Sequence, residues 1–312
     1  TFEYYKANTT DLLLDRQLAS STGYNETRFN VGELQNQGLE LTLNGTAYDN
    51  NDLSFDMGIM WSTNKNEVIS LTGETQIDPQ TGEEYFIDIT DSGGRRLSIG
   101  QSINSFWQPE YAGIYQPEDL LPGSPVNPEV GAKAGHIRVV DQNGDGLIDI
   151  EDNVFLNADP DWFGSLNATL RFKNFDLFAD FYIVQGVTRI NSILANGEFW
   201  KAEMNGPIVP YYTDDNPSTS WPKANATAAW LKHLTSFAAQ DASYLRLRTL
   251  TLGYNFGNRI KDFIKAKSGR IYFTGTNLFT MTDFLSYSPE QDLSAGVFPE
   301  TLNMTVGLKL SF

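Results

Sequence analysis

The chain has 312 residues with 39 acidic and 22 basic side chains, a net charge of −17, no cysteine, and two histidines, His136 and His233. The missing thiols exclude a disulfide framework, a CxxC zinc site and a cysteine nucleophile, and the negative charge argues against a nucleic-acid surface, which has to neutralise phosphates rather than repel them. No stretch approaches the ~18 apolar residues of a membrane-crossing helix, but a transmembrane barrel spreads its hydrophobicity over short alternating segments and gives no such run.

The chain opens without a methionine or a basic-then-apolar leader, inside a segment that reads as a strand, so it is expected to be a fragment or processed piece. Thr1 to Leu14, rich in Phe, Tyr, Thr and Leu, predicts a first strand, with a polar loop to Asn30. Gly38 to Tyr48 sets Leu39, Leu41 and Leu43 on one side and Glu40, Thr42 and Asn44 on the other. After the polar turn Asp49-Asn50-Asn51-Asp52, the residues Leu53, Phe55, Met57, Ile59 and Trp61 continue the apolar face of a returning strand, which completes a hairpin.

From Asn64 to about Asp161 the alternation disappears. Between residues 65 and 161 there are 18 acidic and 5 basic side chains, so most of the net charge sits in under a third of the length, as expected of a solvated excursion. Alternation returns at Phe163, with Leu166, Ala168, Leu170 and Phe172 on one face. A tight turn at Lys173-Asn174 leads into Phe175, Leu177, Ala179, Phe181 and Ile183, a second hairpin. Residues 188–241 form another irregular segment, in which Thr227 to Ala239 has helical character. In Tyr244 to Phe256 the apolar phase changes from odd (Leu245, Leu247) to even (Leu250, Leu252, Tyr254). This predicts a bulge near Thr249; the alternative places Arg246 and Arg248 on the outer face at a rim. A basic turn from Lys261 to Lys267 precedes a seventh strand, Arg270 to Thr282, and a loop to Pro299 precedes the eighth.

That last stretch, Thr301 to Phe312, alternates without a break: Leu302, Met304, Val306, Leu308, Leu310 and Phe312 on one face, small or polar residues on the other. It is long enough to cross a bilayer as a tilted strand, for which about 9–11 residues suffice. Short connections (48–52, 173–175, 256–269) alternate with long ones (15–29, 64–161, 188–241, 282–300), the order produced by short periplasmic turns and long extracellular loops. On that reading the C-terminus is periplasmic, and Trp61, Tyr254, Phe256, Phe279 and Phe312 suit interfacial aromatic girdles. Eight strands can close alone, but loops this long overcrowd so narrow a rim, so part of a wide barrel fits better.

Three stretches in order, Asp241-Ala-Ser-Tyr-Leu-Arg-Leu-Arg-Thr-Leu-Thr-Leu-Gly-Tyr-Asn255, Thr274-Gly-Thr-Asn-Leu-Phe-Thr280 and Gly307-Leu-Lys-Leu-Ser-Phe312, resemble the end of the SusC/RagA family of TonB-dependent outer-membrane transporters. Asn30 to Leu41 and Gly135 to Gly146 are similar to further signatures of that family, so the resemblance covers nearly the whole chain. It implies an all-β fold in which residues 1–312 are the last eight antiparallel strands of a barrel of about 22. It also implies a SusD-like surface lipoprotein that traps glycans or peptides, and import driven by TonB through a plug. The plug and TonB box are not among these residues.

Asp141-Gln-Asn-Gly-Asp-Gly-Leu-Ile-Asp-Ile-Glu-Asp152 has the spacing of a calcium loop. Asp141, Asn143, Asp145, Asp149 and Asp152 would supply oxygens at positions 1, 3, 5, 9 and 12, and Leu147 its carbonyl at position 7. Gly146 permits the sharp turn, and the hard cation takes six to eight such oxygens. The last ligand is Asp where an EF-hand has Glu, closer to the dockerin-type variant. The alternative is a polar surface turn that binds nothing.

Phe106, Trp107, Tyr111, Tyr115, Trp162, Trp200, Trp221 and Trp230 lie in the long segments, where they either stack on sugar rings or a partner or form small cores. The acid pairs Glu83-Glu84 and Asp214-Asp215 invite a glycosidase reading, but nothing fixes their separation or raises one pKa, and solvated loop acids are the plainer reading. The leading expectation is therefore a non-enzymatic importer component in the outer membrane of a Gram-negative bacterium. The rivals are a secreted β-rich, calcium-stabilised binding or adhesion module and, more remotely, a loop-borne surface hydrolase.

Overall fold

The computed structural model describes residues 1–17, 23, 26–71, 75–77, 84–86, 89–92, 95–128, 131–196, 200–201, 208–224, 234–290 and 300–312. One antiparallel sheet of eight strands runs through it: β1 (Phe2–Gln17), β2 (Glu26–Asp49), β3 (Leu53–Ser70), β4 (Trp162–Phe172), β5 (Phe175–Gln185), β6 (Tyr244–Asn255), β7 (Ser268–Thr282) and β8 (Asn303–Ser311). Each strand pairs with its neighbour in sequence, so the sheet is an up-and-down meander whose outer strands are β1 and β8.

The register explains why the apolar alternation is so regular. Tyr48 and Leu170 both lie opposite Phe55, and the row continues through Leu177, Leu252, Phe273 and Val306. The next row runs from Leu53 through Phe172, Phe175, Tyr254 and Ile271 to Leu308. Because side chains alternate with period two, aligning one apolar residue per strand aligns the whole set on one face. From Phe175 to Ile183 that face covers about 27 Å of strand at about 3.4 Å per residue, hence about 21 Å of height at the usual tilt of about 40°. That is close to the belt of about 25 Å on a transmembrane barrel.

In β6 the phase change is resolved as expected. Phe181 pairs with Leu247 and Asp180 with Thr249, so Arg248 is the extra residue of a bulge, and Leu245 and Leu247 share a face with Leu250 and Leu252. Arg248 stacks 3.8 Å from the centre of the Tyr182 ring, and Arg246 lies in a row with Tyr182 and Thr280 on the polar face, so neither arginine is on the apolar side.

Two expectations change. β2 starts at Glu26 and β3 runs on to Ser70, well beyond the apolar alternation. There polar residues stand on both faces, interrupted by Leu34 and Val68, which pack with Leu14, Leu71 and Leu97, so the sequence carries no sustained period although the backbone ladder continues. The basic turn is mostly a helix: α2 spans Asn258–Ile264, while α1, Leu234–Ala238, is the described part of the other helical expectation.

At one end of the sheet the turns are short, at residues 50–52 and 173–174; at the other, two long excursions build a lobe. Ribbons Phe106–Pro109 with Asn153–Leu156, Tyr111–Ile114 with Ile137–Val139, and Thr188–Ile190 with Ala239–Asp241 frame it. Ile114, Ile137, Val139 and Ile148 from the first excursion and Leu194, Trp200, Tyr212, Phe237 and Ala238 from the second form one buried cluster. Phe237 is its hub, with edge-on contacts to Tyr111 (5.6 Å), Trp200 (5.7 Å) and Trp221 (5.9 Å).

Candidate functional site

The two faces of the sheet differ in what they can touch. None of the three buried clusters among the described residues includes a residue of the apolar belt. Leu252, in the middle of the sheet, is 51% exposed, and Leu43, Phe172, Phe175, Ile271, Phe279 and Met304 are exposed with it. A continuous apolar face of this extent is not left bare in water, so it marks contact with lipid.

The opposite face carries Asn44, Gly58, Asn167, Asp180, Thr249, Thr276 and Asn303 in one row and Thr46, Asp56, Thr169, Phe178, Thr251, Thr274 and Thr305 in the next. Two ion pairs lie on it: Arg171 with Asp56, which also accepts from Thr46 Oγ1 at 2.6 Å, and Arg270 with Asp176. Tyr5 donates to Asn64 Oδ1 at 2.9 Å, and Asn66 Nδ2 to Asn36 Oδ1 at 2.8 Å. This wall presents amides and hydroxyls with its ion pairs neutralised locally, as suits the wet interior of a wide barrel.

One device on that wall was not foreseen. Arg246 is buried and bridges both ends of the connection between β7 and β8, with Nη1 at 2.5 Å from Glu290 Oε2 and 2.6 Å from Glu300 Oε2. Its Nε donates to Thr280 Oγ1 at 2.9 Å and Nη2 to Ser288 Oγ at 3.3 Å, while Tyr244 donates to Glu290. In sequence the only signal was a charged residue inside an alternating strand; its partners lie 44 and 54 positions away.

The acidic loop folds on its own carboxylates. Asp141 accepts from the backbone N–H groups of Gly144 (2.7 Å) and Gly146 (3.0 Å), Asn143 from Asp145 (3.0 Å), Asp145 from Leu147 (2.8 Å) and Asp149 from Glu151 (2.8 Å). Asp152, 0% exposed, closes the loop by accepting from Gln142 (2.8 Å) and Asp149 (2.9 Å). Gly146 has φ +84°, so the glycine is required there. The loop is tied to the lobe: Ile148 is in the common core, its N–H donates to Val126 O at 2.9 Å, and its carbonyl accepts from Asn127 Nδ2 at 2.9 Å. Among the described residues no three Asp, Glu or His side chains are gathered as a metal-holding group, and the carboxylates of this loop are engaged instead by its own backbone N–H groups.

Of the loop aromatics, Trp200 is buried in the lobe's core, Tyr111 and Trp221 pack against that core, and Tyr115 is buried with its hydroxyl donating to Pro125 O at 3.0 Å, which accounts for them as structure. Trp230 lies outside the described residues. Asp214 and Asp215 are both exposed, and Glu83 lies outside the described residues.

His136, in the same lobe, has its pKa lowered, first by burial and then by Lys133 and Lys223. The folded lobe therefore resists protonation that the unfolded chain accepts. Stability should be full above the ordinary histidine value of about 6.5 and fall as the pH drops from there towards the depressed value. Thermal melts of wild type and His136→Asn between about pH 7.5 and pH 5 should converge at the acid end; parallel curves would show that His136 has no part in it.

No family model matches the chain. Among curated proteins, it is 30% identical to TonB-dependent receptor P26 of Formosa agariphila over 326 residues, covering 99% of the chain and 32% of that protein. It is 25% identical to TonB-dependent receptor SusC of Bacteroides thetaiotaomicron over 324 residues, covering 99% of the chain and 29% of SusC. The chain is the SusC-like C-terminal portion of a TonB-dependent receptor. Among solved structures, the RagAB peptide transporter superposes with a TM-score of 0.71 at 23% identity, over 100% of this chain and 33% of that one, which fixes the fold as a sector of barrel wall. The SusC-like chain is an outer-membrane protein, and it spans about a third of the length of the relatives it matches.

Proposed function

We propose that the SusC-like chain forms the last eight strands of an importer of about 22 strands that takes up glycans or oligopeptides across the outer membrane. The rest of the barrel pairs with the free edges of β1 and β8, and a SusD-like lipoprotein caps the lobe. TonB acts through a plug carried elsewhere in the protein. The observation that carries this reading is the two-faced sheet, apolar and uncovered outside and polar inside, with short turns at one end and the lobe at the other. That asymmetry supports an extracellular lobe and periplasmic turns with the C-terminus beside them.

Single cysteines test the sidedness, since the chain has none of its own. In intact cells expressing the full-length receptor, Asn143→Cys should react with a membrane-impermeant maleimide and Asn51→Cys should not; the reverse pattern would refute the orientation. Uptake of labelled oligosaccharides and peptides by the same cells, with and without the receptor, assigns the cargo. Loss of neither would refute the importer reading.

Calcium at Asp141, Asn143, Asp145, Leu147, Asp149 and Asp152 belongs to the same proposal, supported by the oxygen spacing and the positive φ of Gly146. Its role would be structural, fastening the loop to the Ile148 core. At calcium about 100 times its dissociation constant the gain is about 2.7 kcal/mol, so a chelator should lower the lobe's melting temperature by several degrees. An unchanged melt together with metal-free purified protein would reject the site.

A further inference from the structure

The connection between β6 and β7 differs from the other two turns at its end of the sheet. Those occupy only residues 50–52 and 173–174, whereas this one folds into α2. Phe263 on α2 is 87% exposed, the largest value of any aromatic side chain in the described structure, and Ile260 is also exposed. At helical spacing Ile260, Phe263 and Ile264 share one face, and Arg259 and Lys261 flank it. With Lys265 and Lys267 this short segment holds four cations against one acid, Asp262, in a chain whose net charge is −17.

Phe256 packs over Gly269, which pairs with Leu310, so the lowest row of the lipid-facing belt runs straight into the turn that starts α2. An apolar face flanked by cations and continuous with a lipid-facing belt has the chemistry of a segment lying in the headgroup layer. We infer that α2 is an interfacial foot: Phe263 and Ile260 enter the acyl boundary, and Arg259, Lys261 and Lys265 bind the phosphates of anionic phospholipids in the periplasmic leaflet. Lys267 is occupied otherwise, its Nζ donating to the carbonyl oxygen of Phe312 at 2.9 Å, which fastens the end of β8 beside the foot.

This inference rests on the proposed orientation, and the test separates the two. The full-length receptor extracted from membranes of mixed phosphatidylglycerol and phosphatidylcholine is compared by native mass spectrometry with the triple variant Arg259→Gln, Lys261→Gln, Lys265→Gln. Wild type should keep the anionic lipid preferentially, and the variant should lose about tenfold of that preference. A nitroxide on Phe263→Cys in phosphatidylglycerol nanodiscs should be more accessible to oxygen than to a water-soluble nickel chelate. Equal lipid retention by both proteins, or a nitroxide as open to nickel as one in water, overturns the foot even where the cysteine labelling upholds the orientation. Lipopolysaccharide retained in place of phospholipid would instead put this end in the outer leaflet and overturn both.

Discussion

Replacing Leu252 with arginine is expected to cost about 2–4 kcal/mol if the residue sits near the bilayer midplane, and less towards either interface. The same substitution on a water-exposed sheet would stay within about 0.5 kcal/mol, because an exposed leucine contributes little packing. Leu252 is half exposed and no buried cluster includes it, so the chain's own packing offers no other source for a large loss. Thr251→Arg is the internal control: its side chain faces the polar wall, where Oγ1 sits 3.0 Å from Thr274 Oγ1, and its cost should be the smaller of the two. Reversible folding of the full-length receptor into thin-bilayer vesicles, followed by denaturant titration, measures both. Equal costs for the two would contradict a lipid-facing belt.

The second large effect belongs to Arg246. Its side chain is 5% exposed and meets two acidic side chains that are only partly exposed, Glu290 at 37% and Glu300 at 22%. Removing one member of a buried ionic cluster strands the others, at about 3–5 kcal/mol. The partial exposure of the acids puts Arg246→Ala near the lower end, because water relieves part of the strain. The loss should be local. Backbone amides near Ser288 and Glu290 should lose hydrogen-exchange protection while those of β6 and β7 keep theirs, and Arg246→Lys should restore only part, since it cannot reach both acids and Thr280 at once. Uniform loss of protection across the sheet would mean that Arg246 supports the wall itself rather than the chain segment folded against it.

The eight strands were legible because one face of each is bound to hydrocarbon and the other to water. That requirement writes a period of two directly into residues such as Phe175 to Ile183 and Leu302 to Phe312. It even exposed the bulge at Arg248, since an inserted residue must shift the phase. In the upper parts of β2 and β3, where polar residues stand on both faces, the same backbone ladder leaves no sustained period in the sequence, so the start of β2 was placed too late and the end of β3 too early. The amphipathic character of α2 was hidden differently: about two turns of helix are too short to show a period among lysines.

The order of the motifs and the alternation of long and short connections determined, without coordinates, an all-β sheet with a lipid side, a wet side and two unlike ends. Only the tertiary structure decided that both excursions share one core around Phe237, that the acidic loop is anchored to it through Ile148, and that Arg246 grips Glu290 and Glu300. The reason is separation along the chain. A periodic pattern is imposed residue by residue by the solvent each face meets, whereas contacts between residues tens of positions apart depend on how the loops fold over the rim, which no local pattern records.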